Sequence, residues 1–173
     1  ALTQGNHDVV QLLEIVADDE GNGYAYYIAS PETPLQRYLF RVHLSGNSAP
    51  ERLTPAAWEG TNSYQIAKDG RYAIHTYSRM GLPPQTRMVK LPRHHVLQDI
   101  ELNRQLETRL AQRVTSNTEF FQVQAQDGLV LDGYIMKPKN FDDSKKYPLI
   151  IFVYGEPWGQ TVADRWLGHL WLW

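Results

Sequence analysis

Hydrophobic and polar positions alternate in short runs through the first ninety residues. Three such runs, His7–Val16, Tyr24–Ala29 and Arg37–His43, are rich in β-branched and aromatic residues, which is typical of strands. The connections Asp18–Gly23 and Ser45–Asn47 carry the Gly, Asn and Asp residues that favour turns. The pattern predicts short strands joined by polar turns.

A motif in this region occurs twice. Tyr24-Ala25 and Ser30 recur as Tyr72-Ala73 and Ser78, 48 positions later (24 to 72). A loop with Pro and then a second short strand follow each copy, the later one predicted at Gln85–Leu91. Periods of about 40 to 50 residues with several strands each are typical of propeller blades. We therefore expect two blades.

Two Asp-Gly pairs, beginning at Asp69 and Asp127, lie between apolar runs. This dipeptide is a strong signal for a tight β-hairpin, because its residues accept positive φ angles. The strands predicted to flank the two pairs are 62–68, 71–78, 119–126 and 129–137.

Between the two hairpins the apolar period changes. Leu102, Leu106 and Leu110 are spaced four apart, which predicts an amphipathic helix over Leu97–Val114. Asp99 is the predicted N-cap of this helix.

The longest apolar run, Pro148–Val153, is led by Pro and followed by Tyr154 and Gly155. A continuous run of this kind predicts an inner parallel strand that is buried on both faces. Sites in open α/β sheets lie at strand ends, so the hydroxyl of Tyr154 is the best candidate for chemistry. The alternative is a structural tyrosine whose hydroxyl binds a backbone carbonyl.

Composition removes several function classes. The formal charge is −2, from 17 basic and 19 acidic residues, which argues against nucleic acid or an anionic membrane as a partner. The chain has no Cys, so disulfides and thiol catalysis are excluded. No apolar run reaches the length of about 18 residues that a membrane span needs.

The abrupt start at Ala1 and the apolar stretch up to Trp173 lead us to expect that both ends are cuts in a longer protein.

The sequence predicts no metal site. The acidic turn Asp18–Gly23 resembles a calcium loop, but its twelfth position is Ala29 where a bidentate Glu is required. His94 and His95 are adjacent and point to different faces, so they do not chelate one ion. The remaining histidines are interpreted as separate packing or surface residues: His7, His43, His75 and His169.

The stretch Phe141–Pro148 and the run after it resemble the entrance to the α/β-hydrolase domain of the prolyl oligopeptidase family, in its dipeptidyl peptidase IV-like branch. Leu2–Gly5 and Arg52–Thr54 are similar to the sequence motifs that open and close propeller blades in this family. His95–Ile100 is an imperfect match to the motif of the linker that follows the propeller. The resemblance implies a mixed fold of all-β blades followed by the opening strands of an α/β hydrolase. Its expected divisions are 1–92 for the last two blades, 93–115 for a linker with a helix, and 116–173 for a truncated peptidase domain.

The resemblance also implies a function. Tyr154 would donate to the oxyanion of a tetrahedral intermediate, while Glu156 and Trp158 would contact substrate or support this loop; the alternatives are a solvated carboxylate and an ordinary aromatic anchor. No serine lies in a G-x-S-x-G elbow, so the Ser-Asp-His triad is expected downstream of Trp173.

The implied activity is release of N-terminal dipeptides with Pro or Ala second, on peptides with a free N-terminus and without a cofactor. Relatives in this branch are often homodimeric, and periplasmic, secreted or membrane-anchored. The alternatives are an oligopeptidase or acylaminoacyl peptidase of the same superfamily, or a non-catalytic module that binds peptides or proteins.

Overall fold

Two four-stranded antiparallel sheets make up the first hundred residues of the chain, and each follows the order of its strands in the sequence. The computed structural model describes residues 1–113, 116–138, 140–156 and 159–168. The first sheet contains β1 (Val9–Ala17), β2 (Gly23–Ala29), β3 (Tyr38–His43) and β4 (Glu51–Arg52). The second sheet contains β5 (Thr61–Ile66), β6 (Tyr72–Arg79), β7 (Leu82–Lys90) and β8 (His95–Glu101).

The predicted strands agree with this arrangement to within a few residues, and the repeat is structural. Tyr24 lies near the start of β2 and Tyr72 begins β6, so the two copies of the motif occupy the second strand of each sheet. β7 starts three residues before its predicted start, because Gly81, at φ 80°, turns the chain tightly after β6.

An apolar cluster joins the two sheets. The first sheet contributes Tyr26, Ile28, Leu39 and Leu53, and the second contributes Tyr64, Ala73, Val89 and Leu91. The opposite face of the first sheet has a second cluster, in which the rings of Tyr27 and Phe40 stack at 5.8 Å across the β2–β3 pairing. The first sheet is therefore apolar on both faces.

The helix prediction was wrong at its start. Residues 95–101 form β8, which pairs with β7, and Asp99 lies in that strand with an ion pair of 2.9 Å to Arg87. Helix α1 spans Arg104–Arg113, and the N–H of Glu107 donates to the carbonyl of Asn103. The leucine spacing was confirmed only within this shorter range, because strand pairing and the Arg87 contact hold the preceding residues extended. Val114 lies outside the described residues.

A separate hairpin follows the helix, as the second Asp-Gly pair predicted. β9 (Ser116–Gln124) pairs with β10 (Val130–Pro138) in an antiparallel register. Gly128, at φ 85°, closes the turn by donating its N–H to the carbonyl of Ala125.

The buried parallel strand expected over Pro148–Val153 is not formed, and this prediction was wrong. Residues 146–156 have no assigned strand, and Ile150 is 93% exposed and Val153 81% exposed. A parallel strand needs neighbours that accept and donate its backbone hydrogen bonds, and none of the described strands pairs with this run.

Among the described residues, no helix combines the length and the apolar character needed to cross a bilayer.

Candidate functional site

Tyr154 lies in an exposed loop and not in a sealed interior. Its side chain is partly open to solvent, and its hydroxyl donates a hydrogen bond of 2.6 Å to Oε2 of Glu156. This hydrogen bond is the main cause of a pKa raised above the ordinary value of Tyr154. The phenol is therefore a neutral donor at physiological pH, with an acceptor side chain two residues away.

The ring of Tyr154 packs against the backbone of Gly159. A methyl group added to Gly159 would lie 1.9 Å from Cε1 of Tyr154, and a methyl group added to Gly155 would meet nothing within 4 Å. The N–H of Gly159 also donates to the carbonyl of Glu156 at 3.1 Å. The loop thus turns back on itself, and the absence of a side chain at 159 makes room for the ring.

The structure brings two of the three predicted site residues together. Tyr154 and Glu156 are hydrogen-bonded, whereas Trp158 lies outside the described residues.

The interior of the second sheet contains a polar and aromatic network that sequence reasoning missed. His75 and His94 were interpreted as separate, but their ring centroids are 4.8 Å apart. Nε2 of His94 binds the hydroxyl of Tyr64 at 2.8 Å, and that hydroxyl is 2.9 Å from Oγ1 of Thr54. Thr54 follows β4, so the network connects the two sheets.

The geometry determines the tautomer of His75. Nδ2 of Asn62 donates to the carbonyls of Arg37 and Trp58, so Oδ1 of Asn62 faces Nε2 of His75 at 2.8 Å. An amide oxygen only accepts, so Nε2 of His75 carries the proton. Nδ1 of His75 is buried without a partner among the described residues.

Burial is the main cause of the low basicity of both histidines. It lowers the pKa of His75 to about 3, and the charges of His94 and Arg87 act in the same direction. Burial also lowers the pKa of His94. Within the described part of the chain no three His, Asp or Glu side chains converge as a metal site. The network lies at the junction of the two sheets, and no signal in the sequence pairs residues 75 and 94.

Comparison with known proteins agrees with the resemblance in the sequence. Residues 1–84 match the family described as "Dipeptidyl peptidase IV (DPP IV) N-terminal region". The probable dipeptidyl-aminopeptidase B of Neosartorya fischeri is 32% identical over 166 residues, which are 95% of this chain and 17% of that protein. The Aspergillus fumigatus protein of the same name is 32% identical over 165 residues, with the same two shares.

Solved structures show the same similarity. The crystal structure of Porphyromonas gingivalis dipeptidyl peptidase 4 matches with a TM-score of 0.83 and 29% identity, over 95% of this chain and 22% of that one. A putative dipeptidyl aminopeptidase IV from Bacteroides ovatus matches with a TM-score of 0.75 and 26% identity over the same shares. The chain thus spans about a fifth of the length of the proteins it matches. In sequence and in fold, this chain is a dipeptidyl peptidase IV-like segment.

Proposed function

We propose that this chain is the part of a serine peptidase in which a β-propeller passes into the catalytic domain. The two meander sheets are the last two blades, since a four-stranded antiparallel sheet repeated in sequence is the unit of a propeller. The proposed blade region covers residues 1–92, and the pairing of β8 with β7 supports its extension to Glu101. α1 belongs to the linker, and residues from Ser116 onward begin the α/β-hydrolase domain.

The proposed activity is release of dipeptides from peptides with a free N-terminus, with Pro or Ala at the second position. The similarity to dipeptidyl-aminopeptidases supports this activity. The nucleophile, acid and histidine are supplied by the full-length protein outside these 173 residues, in the order Ser, Asp, His that α/β hydrolases use. Homodimerisation and a periplasmic, secreted or membrane-anchored location belong to the same proposal.

Tyr154 is the residue of this chain to which we assign a catalytic role. Its hydroxyl is exposed and binds a side chain instead of the main chain, and this observation carries the assignment. A phenol has a single donor hydrogen. Tyr154 therefore transfers its hydrogen bond from Glu156 to the oxyanion as negative charge develops on the substrate carbonyl. Glu156 holds the phenol ring in position for this transfer, and a substrate contact is proposed for Trp158.

Replacement of Tyr154 by Phe in the full-length protein tests this role. One donor to an oxyanion contributes about 3 to 4 kcal/mol to the transition state, so we expect kcat for a Gly-Pro chromogenic substrate to fall by about 10² to 10³, with a smaller change in KM. Tyr147→Phe, seven residues earlier, is the matched control and should leave kcat unchanged.

Equal kcat values for the wild type and Tyr154→Phe would reject the oxyanion role. Cleavage of N-acylated peptides in place of free N-termini would favour an acylaminoacyl peptidase. No hydrolysis by the full-length protein would favour a binding module.

A further inference from the structure

Residues 159–168, which we call the clamp segment, have hardly any regular secondary structure but are docked onto both four-stranded sheets. Ala163 is buried, and its neighbour Asp164 makes contacts with residues from Met80, 84 positions away, to Leu35, 129 positions away (35 to 164). Docking of this kind holds an irregular segment in one position, because each contact replaces a backbone or side-chain bond to water.

Asp164 uses its main chain and its side chain at once. Its N–H donates to the carbonyl of Leu35 at 2.8 Å, and its carbonyl accepts from Oγ1 of Thr61 at 2.9 Å. Oδ1 accepts from the N–H of Met80 at 2.8 Å, and Oδ2 accepts from Nε2 of Gln36 at 3.3 Å. A single residue thus binds the β2–β3 connection, the start of β5 and the β6–β7 turn.

The two serines of the sequence repeat lie at this junction. Oγ of Ser30 accepts from the guanidinium of Arg37 at 2.8 Å, and Oγ of Ser78 accepts from the N–H of Trp166 at 3.4 Å. Equivalent positions of the two repeats therefore contact the clamp segment. Ser78 contacts it directly, and Ser30 contacts it through Arg37.

Arg37 connects the first sheet to the start of the clamp segment. Its guanidinium donates to the carbonyls of Pro34 and Gln36 at 2.7 and 2.9 Å, and to Oε1 of Gln160. Nε2 of Gln160 donates in turn to the carbonyl of Pro34 at 2.7 Å. Burial lowers the pKa of Arg37, with the charge of Arg165 acting in the same direction. These bonds hold Gln160, the residue directly after Gly159, against the first sheet.

Gly159 is also the residue against which the ring of Tyr154 packs. Asp164 binds Leu35 and Gln36, which directly precede Arg37 in the chain. Arg37 binds Gln160, which directly follows Gly159, so contacts and chain neighbours together link the two sheets to the phenol. We propose that Asp164 is a positioning residue for Tyr154, so that the junction of the two sheets sets where the hydroxyl lies. This inference rests on the proposed function and names residues of the sheets and the clamp segment as part of the same site.

A double-mutant cycle in the full-length protein tests the proposal. Asp164→Ala is expected to lower kcat for the Gly-Pro substrate about 10-fold with KM within about twofold, because small displacements of a catalytic group lower the rate steeply. Asp164→Asn keeps the acceptor for Met80 and should lose less. In a Tyr154→Phe background, Asp164→Ala should lower kcat less than twofold, since the group that it positions is already gone.

Two further variants keep the result interpretable. Asp19→Asn changes an exposed carboxylate in the β1–β2 turn and should leave kcat unchanged. If Asp164→Ala fails to fold, Thr61→Val removes one bond to the carbonyl of Asp164 with nearly the same shape. It should lower kcat about two- to threefold, again only when Tyr154 is present.

An unchanged kcat in Asp164→Ala, or an equal loss with and without Tyr154, overturns the positioning role while the proposed function stands. An unchanged kcat in Tyr154→Phe overturns the oxyanion role of Tyr154 and the positioning role with it, while the loss of dipeptide release altogether is what would overturn the peptidase function. Amide hydrogen exchange of residues 159–168 then measures the docking of the clamp segment independently of catalysis. Asp164→Ala should accelerate this exchange.

Discussion

The side chain of Tyr154 contacts residues that are close to it in sequence. Glu156 accepts its hydrogen bond and Gly159 leaves room for its ring. The apolar run and the Tyr-Gly pair led to Tyr154 from the sequence alone. The approach of Gly159 to the ring could not be predicted, because it depends on how the loop turns back on itself.

A pair of glycine substitutions tests this environment in the full-length protein. Gly159→Ala places a methyl group 1.9 Å from the Tyr154 ring, whereas a methyl group at Gly155 meets nothing within 4 Å. The ring must move to accept the first change, so we expect kcat to fall about tenfold or more in Gly159→Ala. Gly155→Ala should stay within about twofold of the wild type. Similar kcat values in the two variants would show that the ring does not depend on Gly159.

Strands and turns were easier to predict than the helix and the apolar run. The strands of the two sheets pair with neighbours in the sequence, so period-two patterns and Asp-Gly turns located them. β8 was missed because its pairing with β7, including Arg87 to Asp99, overrides the helical spacing of nearby leucines. The run Pro148–Val153 was predicted as a buried strand, but burial requires partner strands that local sequence does not reveal.

Helix α1 follows a contact with the second sheet and buries one of its leucines. Nδ2 of Asn103, just before the helix, donates to the carbonyl of Pro84 in β7 at 2.7 Å. Leu110 is 6% exposed, whereas Leu106 is 38% exposed.

Leu110→Ala should therefore lower the free energy of unfolding by about 2 to 3 kcal/mol, as expected for a buried leucine that leaves a cavity. Leu106→Ala is the control on the same helix and should cost well under about 1 kcal/mol. Urea unfolding followed by far-UV circular dichroism measures both variants. Equal losses would mean that Leu110 does not anchor the helix.

At the scale of the whole molecule, the two sheets are joined by an apolar cluster and by the histidine network. The apolar residues of this junction could be predicted from strand periodicity. The meeting of His75, His94, Tyr64 and Thr54 could not, since it depends on how one sheet is placed against the other.

This network makes stability depend on pH. The pKa of His75 is about 3 in the folded protein, against an ordinary value of about 6.5 in the unfolded chain. The unfolded chain therefore binds a proton that the folded protein excludes, so stability is full above about pH 7 and decreases as the pH falls from 6.5 toward 3. The slope from His75 approaches about 1.4 kcal/mol per pH unit, and His94 acts in the same direction.

Urea unfolding at pH 7.5 and pH 5 measures this loss in the wild type and in His75→Phe, which should show a smaller difference between the two pH values. His95→Gln removes an adjacent exposed histidine and should behave like the wild type. A pH dependence that survives in His75→Phe unchanged would assign it to other groups.

The clamp segment also has a consequence for the order of events during folding. Strand pairing within each sheet joins sequence neighbours, while the bonds of Asp164 to Thr61 and Gln36 span 103 and 128 positions. Closing a long loop costs chain entropy before the distant contacts compensate for it, so we expect the clamp segment to dock after the strands of the two sheets have paired. Under the proposed function, with Asp164 as a positioning residue, the oxyanion donor is therefore one of the last parts of the site to reach its place as the chain folds.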